Sequence, residues 1–317
     1  MSDIRNIILQ EFVQKLLLLI DKNQLPPWQK PWNEGATTNQ QKPYNPLTQQ
    51  FYQGINSLHL SLTAELNHFL DPRWVGFNQA NKAGWSIRSQ QKGTVIYLPI
   101  KKIIKADVRD GQGVATNTET AKDRISYRFT RVFNAEQISG IPPLEKSNTV
   151  ITEFKNHNPL PIIAQRLGVS VIETSSDLAY YSPHLDMIKL PLSHQFTSIY
   201  GRESTFAHEL THASGSIQRL ARDQTGQFGS RAYCIEEITA EIGAFLLCRE
   251  LELHFTAVHP DQTQEQHLSY TAHWIELLKK ETVSIELAIK QALEATKFLY
   301  QQWQIEQMIQ QFQTVNV

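Results

Sequence analysis

A chain of 317 residues exceeds the usual size of a single hydrophobic core, so two domains are expected, and 41% hydrophobic with 19% charged residues excludes disorder as the default. The net charge of −1 hides a division: residues 1–140 hold 17 Lys/Arg against 11 Asp/Glu, whereas residues 141–317 hold 13 against 20. The basic half suits a polyanion and the acidic half a metal-binding enzyme domain.

From Asp3 to Lys22, apolar residues at Ile4, Ile7, Ile8, Phe12, Leu16, Leu19 and Ile20 recur close to a 3.6 period, which predicts an amphipathic helix. Its run Phe12–Ile20 is too short to span a bilayer and no cleavage pattern follows it, so a cytoplasmic protein without membrane association is expected. In Leu25-Pro-Pro-Trp-Gln-Lys-Pro-Trp32 the prolines forbid regular helix and hold two tryptophans in an extended segment. Residues 33–50 read as a polar loop. A short strand around Phe51 leads into a helix carrying Leu58, Leu60, Leu62 and Leu66; Trp74 to Lys82 reads as a second helix and Gly84 to Arg88 as the turn after it.

Lys92 to Lys105 is β-rich and ends on Lys101, Lys102 and Lys105, and residues 106–122 read as a hairpin loop. The returning strand, Arg124 to Phe133, interleaves Arg124, Arg128 and Arg131 with Tyr127, Phe129 and Phe133. Cations track phosphates while aromatic faces stack bases, so this composition suits single-stranded nucleic acid; a half-exposed sheet explains the same residues without a ligand. Ser139 to Asn148 is linker-like, which places the domains at 1–140 and 153–317 around a linker at 141–152. Phe154 to Leu167 is helical, Val169 to Glu173 is a strand, and Ala179 to Pro191 is a hairpin whose second arm, Met187 to Leu190, is expected at the sheet edge. Segments near 266–280 and 284–314 are scaffold helices, and Cys234 and Cys248 are expected as buried free thiols.

The richest chemistry lies in Phe206-Ala-His-Glu-Leu-Thr-His-Ala-Ser-Gly215. At about 3.6 residues per turn, His208 and His212 stand one above the other and present both imidazoles to one ion. Glu209 is placed to take a proton from a water at that ion, the arrangement of a zinc peptidase; Gly215 reads as a left-handed cap ending the helix. Zinc suits these donors, and another divalent transition metal such as manganese is an alternative. A third ligand is required, and Tyr233-Cys-Ile-Glu-Glu-Ile-Thr-Ala-Glu241 supplies carboxylates on a second helix. Glu237 with Ala240 and Glu241 resembles the Glu-x-x-Ala-Asp/Glu/Asn pattern of gluzincin-type peptidases, which implies Glu237 as ligand and Glu241 as the group orienting a histidine. Glu236 is the rival, since it lies about 100° round the helix and cannot face the same ion. Tyr233 is a candidate for stabilising an oxyanion, or else a packing residue.

The whole chain resembles the ArdC-type antirestriction proteins. Leu25-Pro-Pro-Trp-Gln-Lys-Pro-Trp32, Tyr52-Gln-Gly-Ile-Asn56, Trp74-Val-Gly-Phe-Asn-Gln-Ala80 and Arg131-Val-Phe-Asn134 are similar to their N-terminal domain; the segment from His208 to Gly215, with Glu236 to Glu241, is similar to their zincin-like domain. The resemblance implies an α+β chain in which a single-stranded-DNA-binding domain is joined to a metallopeptidase domain, carried by mobile elements and protecting incoming DNA from restriction. A protein substrate goes with that reading. Two other readings stay open: a DNA-coating protein with a structural metal site, and a cytosolic peptidase whose first domain binds protein.

Overall fold

The computed structural model describes residues 2–22, 42–106, 120–144, 158–196, 199–253 and 282–315. The Pro-Trp segment at 25–32, the loop at 107–119, most of the expected linker and the expected helix at 266–280 lie outside the described residues.

Helix α1 (Ser2–Asp21) buries Ile8, Phe12, Leu16 and Leu19 along one stripe, as their spacing requires, and α2 (Gly54–Asn67) packs beside it. The expected helix from Trp74 is instead split. Trp74 and Val75 are buried in strand β1 (Trp74–Gly76), which pairs antiparallel with Val132 to Asn134, and only α3 (Phe77–Lys82) is helical. The break comes at Gly76, extended at ψ 150°, whose N–H donates to Gln79 Oε1 at 3.1 Å. The following segment is likewise more than a turn, because β2 (Ser86–Ile87) pairs with β5 (Ile138–Ser139). Between them run β3 (Thr94–Ala106) and β4 (Thr120–Asn134), in antiparallel register from Thr94 opposite Val132 to Ala106 opposite Thr120. Sheet order is β1-β4-β3.

The second half begins with α4 (Pro159–Leu167), capped by Asn158, whose side chain accepts from the Leu160 N–H at 3.0 Å. Strands β6 (Ser170–Thr174), β7 (Tyr180–Ser182) and β8 (Met187–Pro191) form a sheet in the order β6-β8-β7. The arm from Met187 to Leu190 is therefore central, parallel to β6 and antiparallel to β7, and β7 takes the edge where β8 was expected. The β7–β8 hairpin folds back only far enough to put its short arm outermost, while β6 claims the other side of β8. Helices α5 (Ile199–Ser214), α6 (Arg231–Glu250) and α7 (Thr282–Val315) complete the fold.

Two large apolar cores, with two smaller clusters around Trp74 and Val75 against the first sheet, organise these elements. One lies under the second sheet and joins Leu160, Ile188, Leu190, Phe206, Leu210 and Leu247. The other crosses the chain: Phe12, Leu16, Leu58 and Leu62 of the N-terminal helices pack with Ile238, Ile242 and Phe245 of α6 and with Ile285 and Ile289 of α7. Arg249 of α6 donates to Ser61 of α2 at 2.7 Å across the same seam. Cys234 and Cys248 are buried free thiols. Among the described residues no helix is long and apolar enough to cross a membrane.

Candidate metal centre

Helix α5 is fixed from beneath by Phe206, Ala207, Leu210 and Ala213, all buried, which turns His208 and His212 toward α6. The two helices approach closely because Gly243 has no side chain: a Cβ there would stand 2.5 Å from Thr211 Cγ2. Across this narrow gap Glu237 of α6 meets both imidazoles. Its Oε2 is 3.6 Å from His208 Nε2 and its Oε1 is 3.7 Å from His212 Nε2, and the two Nε2 atoms are 3.1 Å apart.

These separations suit an ion. Bonds of about 2.0–2.1 Å at tetrahedral angles place neighbouring donors roughly 3.3 Å apart, close to all three distances. His208, His212 and Glu237 each offer one donor atom within 4.8 Å of the others, the grouping that could hold a metal among the described residues.

The far ring nitrogens also face carboxylates, within hydrogen-bond reach only at His212. His212 Nδ1 lies 3.1 Å from Glu236 Oε1 and His208 Nδ1 lies 3.7 Å from Glu241 Oε1. A carboxylate only accepts, so His212 donates from Nδ1, which leaves Nε2 toward the centre. Glu236, considered beside Glu237 as a ligand, is thus turned to the back of His212. It is tied there by Arg222, whose Nε and Nη2 donate to Oε2 and Oε1 at 2.8 and 2.7 Å, and by Gln224 Nε2, which donates to Oε1 at 3.0 Å. Gly215 is absent from the positive-φ glycines, so the expected left-handed cap is not formed. Its role is clearance, because a Cβ there would fall 2.6 Å from the Arg222 guanidinium. Arg222 and Gln224 were not singled out from the sequence as site residues. Their signal was faint: a Glu-Glu doublet in which one carboxylate faces away from the histidines and needs a cation.

Residues 6–135 match the family model described as the N-terminal domain of anti-restriction factor ArdC, and residues 161–291 match that of a zincin-like metallopeptidase. The chain belongs to the ArdC-type antirestriction family. The crystal structure of the antirestriction protein ArdC from plasmid R388 is similar in its metal-free form, at TM-score 0.62 and 28% identity, covering 93% of this chain and 97% of that one. The Mn(II)-bound form of the same protein gives TM-score 0.62 at 26% identity over the same shares. Two Escherichia coli proteins named DNA primase TraC are each 33% identical, over 90% and 82% of this chain. The chain spans only 26% and 17% of their lengths. The y4eC protein of Sinorhizobium fredii is 27% identical over 87% of this chain and 86% of its own. The zincin-like fold and the Mn(II)-bound relative point to a divalent metal ion.

Within this ArdC-type centre the charges are strongly biased. Burial disfavours a charged His208, yet the hydrogen bond to Glu237 and the carboxylates of Glu241 and Glu209 push its pKa up to about 10. Burial would raise Glu236, but Arg222 and His212 hold it down at about 2. Glu237 also sits below the usual carboxylate range, its burial outweighed by His208 and His212. Glu209 goes the other way: buried on α5, it is raised by desolvation and by Glu237 despite the nearby histidines. The backbone of Tyr181, on edge strand β7, adds only a small pull against that rise. The Tyr233 hydroxyl donates to Glu237, one turn along α6, and its ring lies 5.3 Å from that of Phe228.

The residues considered for DNA lie on the other sheet. Arg128 and Arg131 are exposed on β4, and Arg131 Nη1 donates to the Gly93 carbonyl at 3.1 Å. Lys101, Lys102, Lys105, Arg124 and Tyr127 occupy the paired backbone of β3 and β4, with Lys102 opposite Arg124; their side chains lie outside the description.

Proposed function

We propose that this chain binds single-stranded DNA through its N-terminal half and carries a divalent-metal-dependent peptide hydrolase centre in its C-terminal half, the two serving antirestriction of a mobile element. The observation that carries the hydrolase reading is the convergence of His208 Nε2, His212 Nε2 and a Glu237 oxygen within 4.8 Å, with Glu209 beside them. A zinc or manganese ion held there supplies Lewis acidity to a water and to a substrate carbonyl. The chain's own residues do the rest. Glu236 and Glu241 hold the two imidazoles with Nε2 forward. Glu209, its affinity for protons raised by burial, takes the proton of the attacking water and passes it to the leaving amine. Tyr233, bonded to Glu237, steadies that ligand and stands one turn away from it for contact with a tetrahedral oxyanion. An extended peptide fits along the outer edge of β7.

The DNA reading draws on the basic half, on the family's N-terminal domain, and on relatives whose printed name is DNA primase. Lys101, Lys102, Lys105, Arg124, Tyr127, Arg128 and Arg131 are the proposed contacts, with no sequence preference because stacking and phosphate contacts tolerate any base.

The test is nuclease protection of single and double strands, with metal content and cleavage of an unstructured polypeptide measured on the same samples, for wild type and Glu209→Ala. The expected result is metal in both proteins, protection of single strands by both, and cleavage by wild type alone. Failure of wild type to cleave any polypeptide while holding metal would favour a structural ion. Absence of protection would remove the DNA half.

A further inference from the structure

Between the first sheet and α7 lies a cleft of about 1550 Å³, larger than the ~300–1,000 Å³ of ordinary small-molecule pockets. Four cations line it: Arg128 and Arg131 from β4, Lys290 and Lys297 from α7. Two carboxylates oppose them, Glu294 and Glu250, and Glu250 is already held by Lys42 at 2.7 Å. Arg128, Lys290 and Lys297 are exposed and make no ion pair with another described residue. Seven residues apart on one helix, the lysines stand about 10 Å from each other, far enough to meet different phosphates. Along the same cleft the ring of Phe77 is 52% exposed, whereas that of Phe51, 48% exposed, already packs edge-on with Tyr44 and carries Lys42 Nζ 5.6 Å from its centre.

We infer that this cleft is the path of the DNA single strand, so that α7 of the metallopeptidase half, through Lys290 and Lys297, forms one wall of the nucleic-acid site. Resting on the single-strand reading above, it extends that site beyond the N-terminal domain. The combination suits a single strand: phosphates meet cations on both walls while the exposed ring of Phe77 offers a stacking face to a base, which a duplex keeps stacked inside. The volume of the cleft accommodates an extended chain, and four cations against two carboxylates suit a polyanion.

The experiment uses the full chain, a fluorescent oligo-dT of about 16 nucleotides, within the site sizes known for compact single-strand binders, and anisotropy over a range of salt. Lys290→Glu with Lys297→Glu should weaken binding about tenfold or more and lower the slope of log K against log salt by about 1.4, since each lost contact contributes ~0.7. Phe77→Ala should weaken binding roughly fivefold or more without changing the slope, the lower end of base stacking. Circular dichroism and the unfolding midpoint verify the fold of each variant. If the lysine variant binds as wild type while Arg128→Glu with Arg131→Glu loses binding, the strand stays on the sheet and the cleft proposal is overturned, though single-strand binding survives. Wild type that binds no oligo-dT overturns both. Equal affinity for a duplex of the same length overturns the choice of ligand.

Discussion

Arg222 and Glu236 form a two-pronged buried ion pair at 2.7 and 2.8 Å, and its carboxylate in turn receives the Nδ1 proton of His212. The loop between α5 and α6 thereby braces the candidate metal centre from behind, with Gln224 also donating to the His212 carbonyl at 2.7 Å. Arg222→Ala leaves Glu236 charged and buried without its cation, a loss of roughly 3–5 kcal/mol by precedent for broken buried pairs. Urea unfolding of the two proteins checks it. An unchanged midpoint would show that Gln224 and water suffice.

Glu236 and Glu237 are adjacent in sequence yet face opposite nitrogens of His212, so their amide variants should differ. Glu236→Gln keeps all three donors and should weaken metal binding about 10–100-fold, as loss of a supporting carboxylate does. Glu237→Gln exchanges an anionic donor for a weak, neutral amide oxygen and should weaken it much further. Competition titration with a chromogenic chelator gives both constants, and the reverse order would exchange the assigned roles.

At Gly243 the prediction concerns packing. Gly243→Ala places a methyl 2.5 Å from Thr211 Cγ2 and must push α5 from α6, costing about 1–3 kcal/mol by analogy with overpacked cores. Thr211→Ala in the same chain should return part of that loss. A double-mutant cycle in denaturant measures the coupling, and simple additivity would show that the helices yield elsewhere.

His59 offers a pH test away from the metal. Fully buried between α1 and α2, with Lys15 Nζ 2.8 Å from its Nε2, it is pushed down to about 3 by burial and by that lysine. Its folded pKa is below the unfolded value near 6.5, so the unfolded chain binds the extra proton. This contribution is complete above about pH 6.5 and disappears as the pH falls toward 3. From pH 7 to pH 5.5 it amounts to about 1.2 kcal/mol of lost stability. In His59→Gln that part of the pH slope should vanish, whatever the variant's absolute stability.

Local signals carried much of this centre. His208, Glu209 and His212 were legible because helical spacing alone brings them together, and the Glu-x-x-Ala-Glu pattern indicated where Glu237 would be. Arg222 was invisible as a site residue because its partner is 14 residues away across a loop, and no periodicity relates them. Gly215 carries a mark that two causes produce, a left-handed turn or a close approach, and only the neighbouring guanidinium decides. The residues from Trp74 read as helix because apolar spacing in so short a run cannot report the ladder to β4. The edge position of β7 follows from strand order, which a hairpin pattern leaves undetermined.

The apolar seam that Phe12 and Leu58 share with Ile242 and Ile289 ties the fate of one half to the other. Modules joined by a tether can be reshuffled by recombination, each bringing its own finished surface. Here a crossover between the halves would strip greasy helical faces from both products. The two halves are therefore expected to unfold together in one cooperative step rather than one after the other.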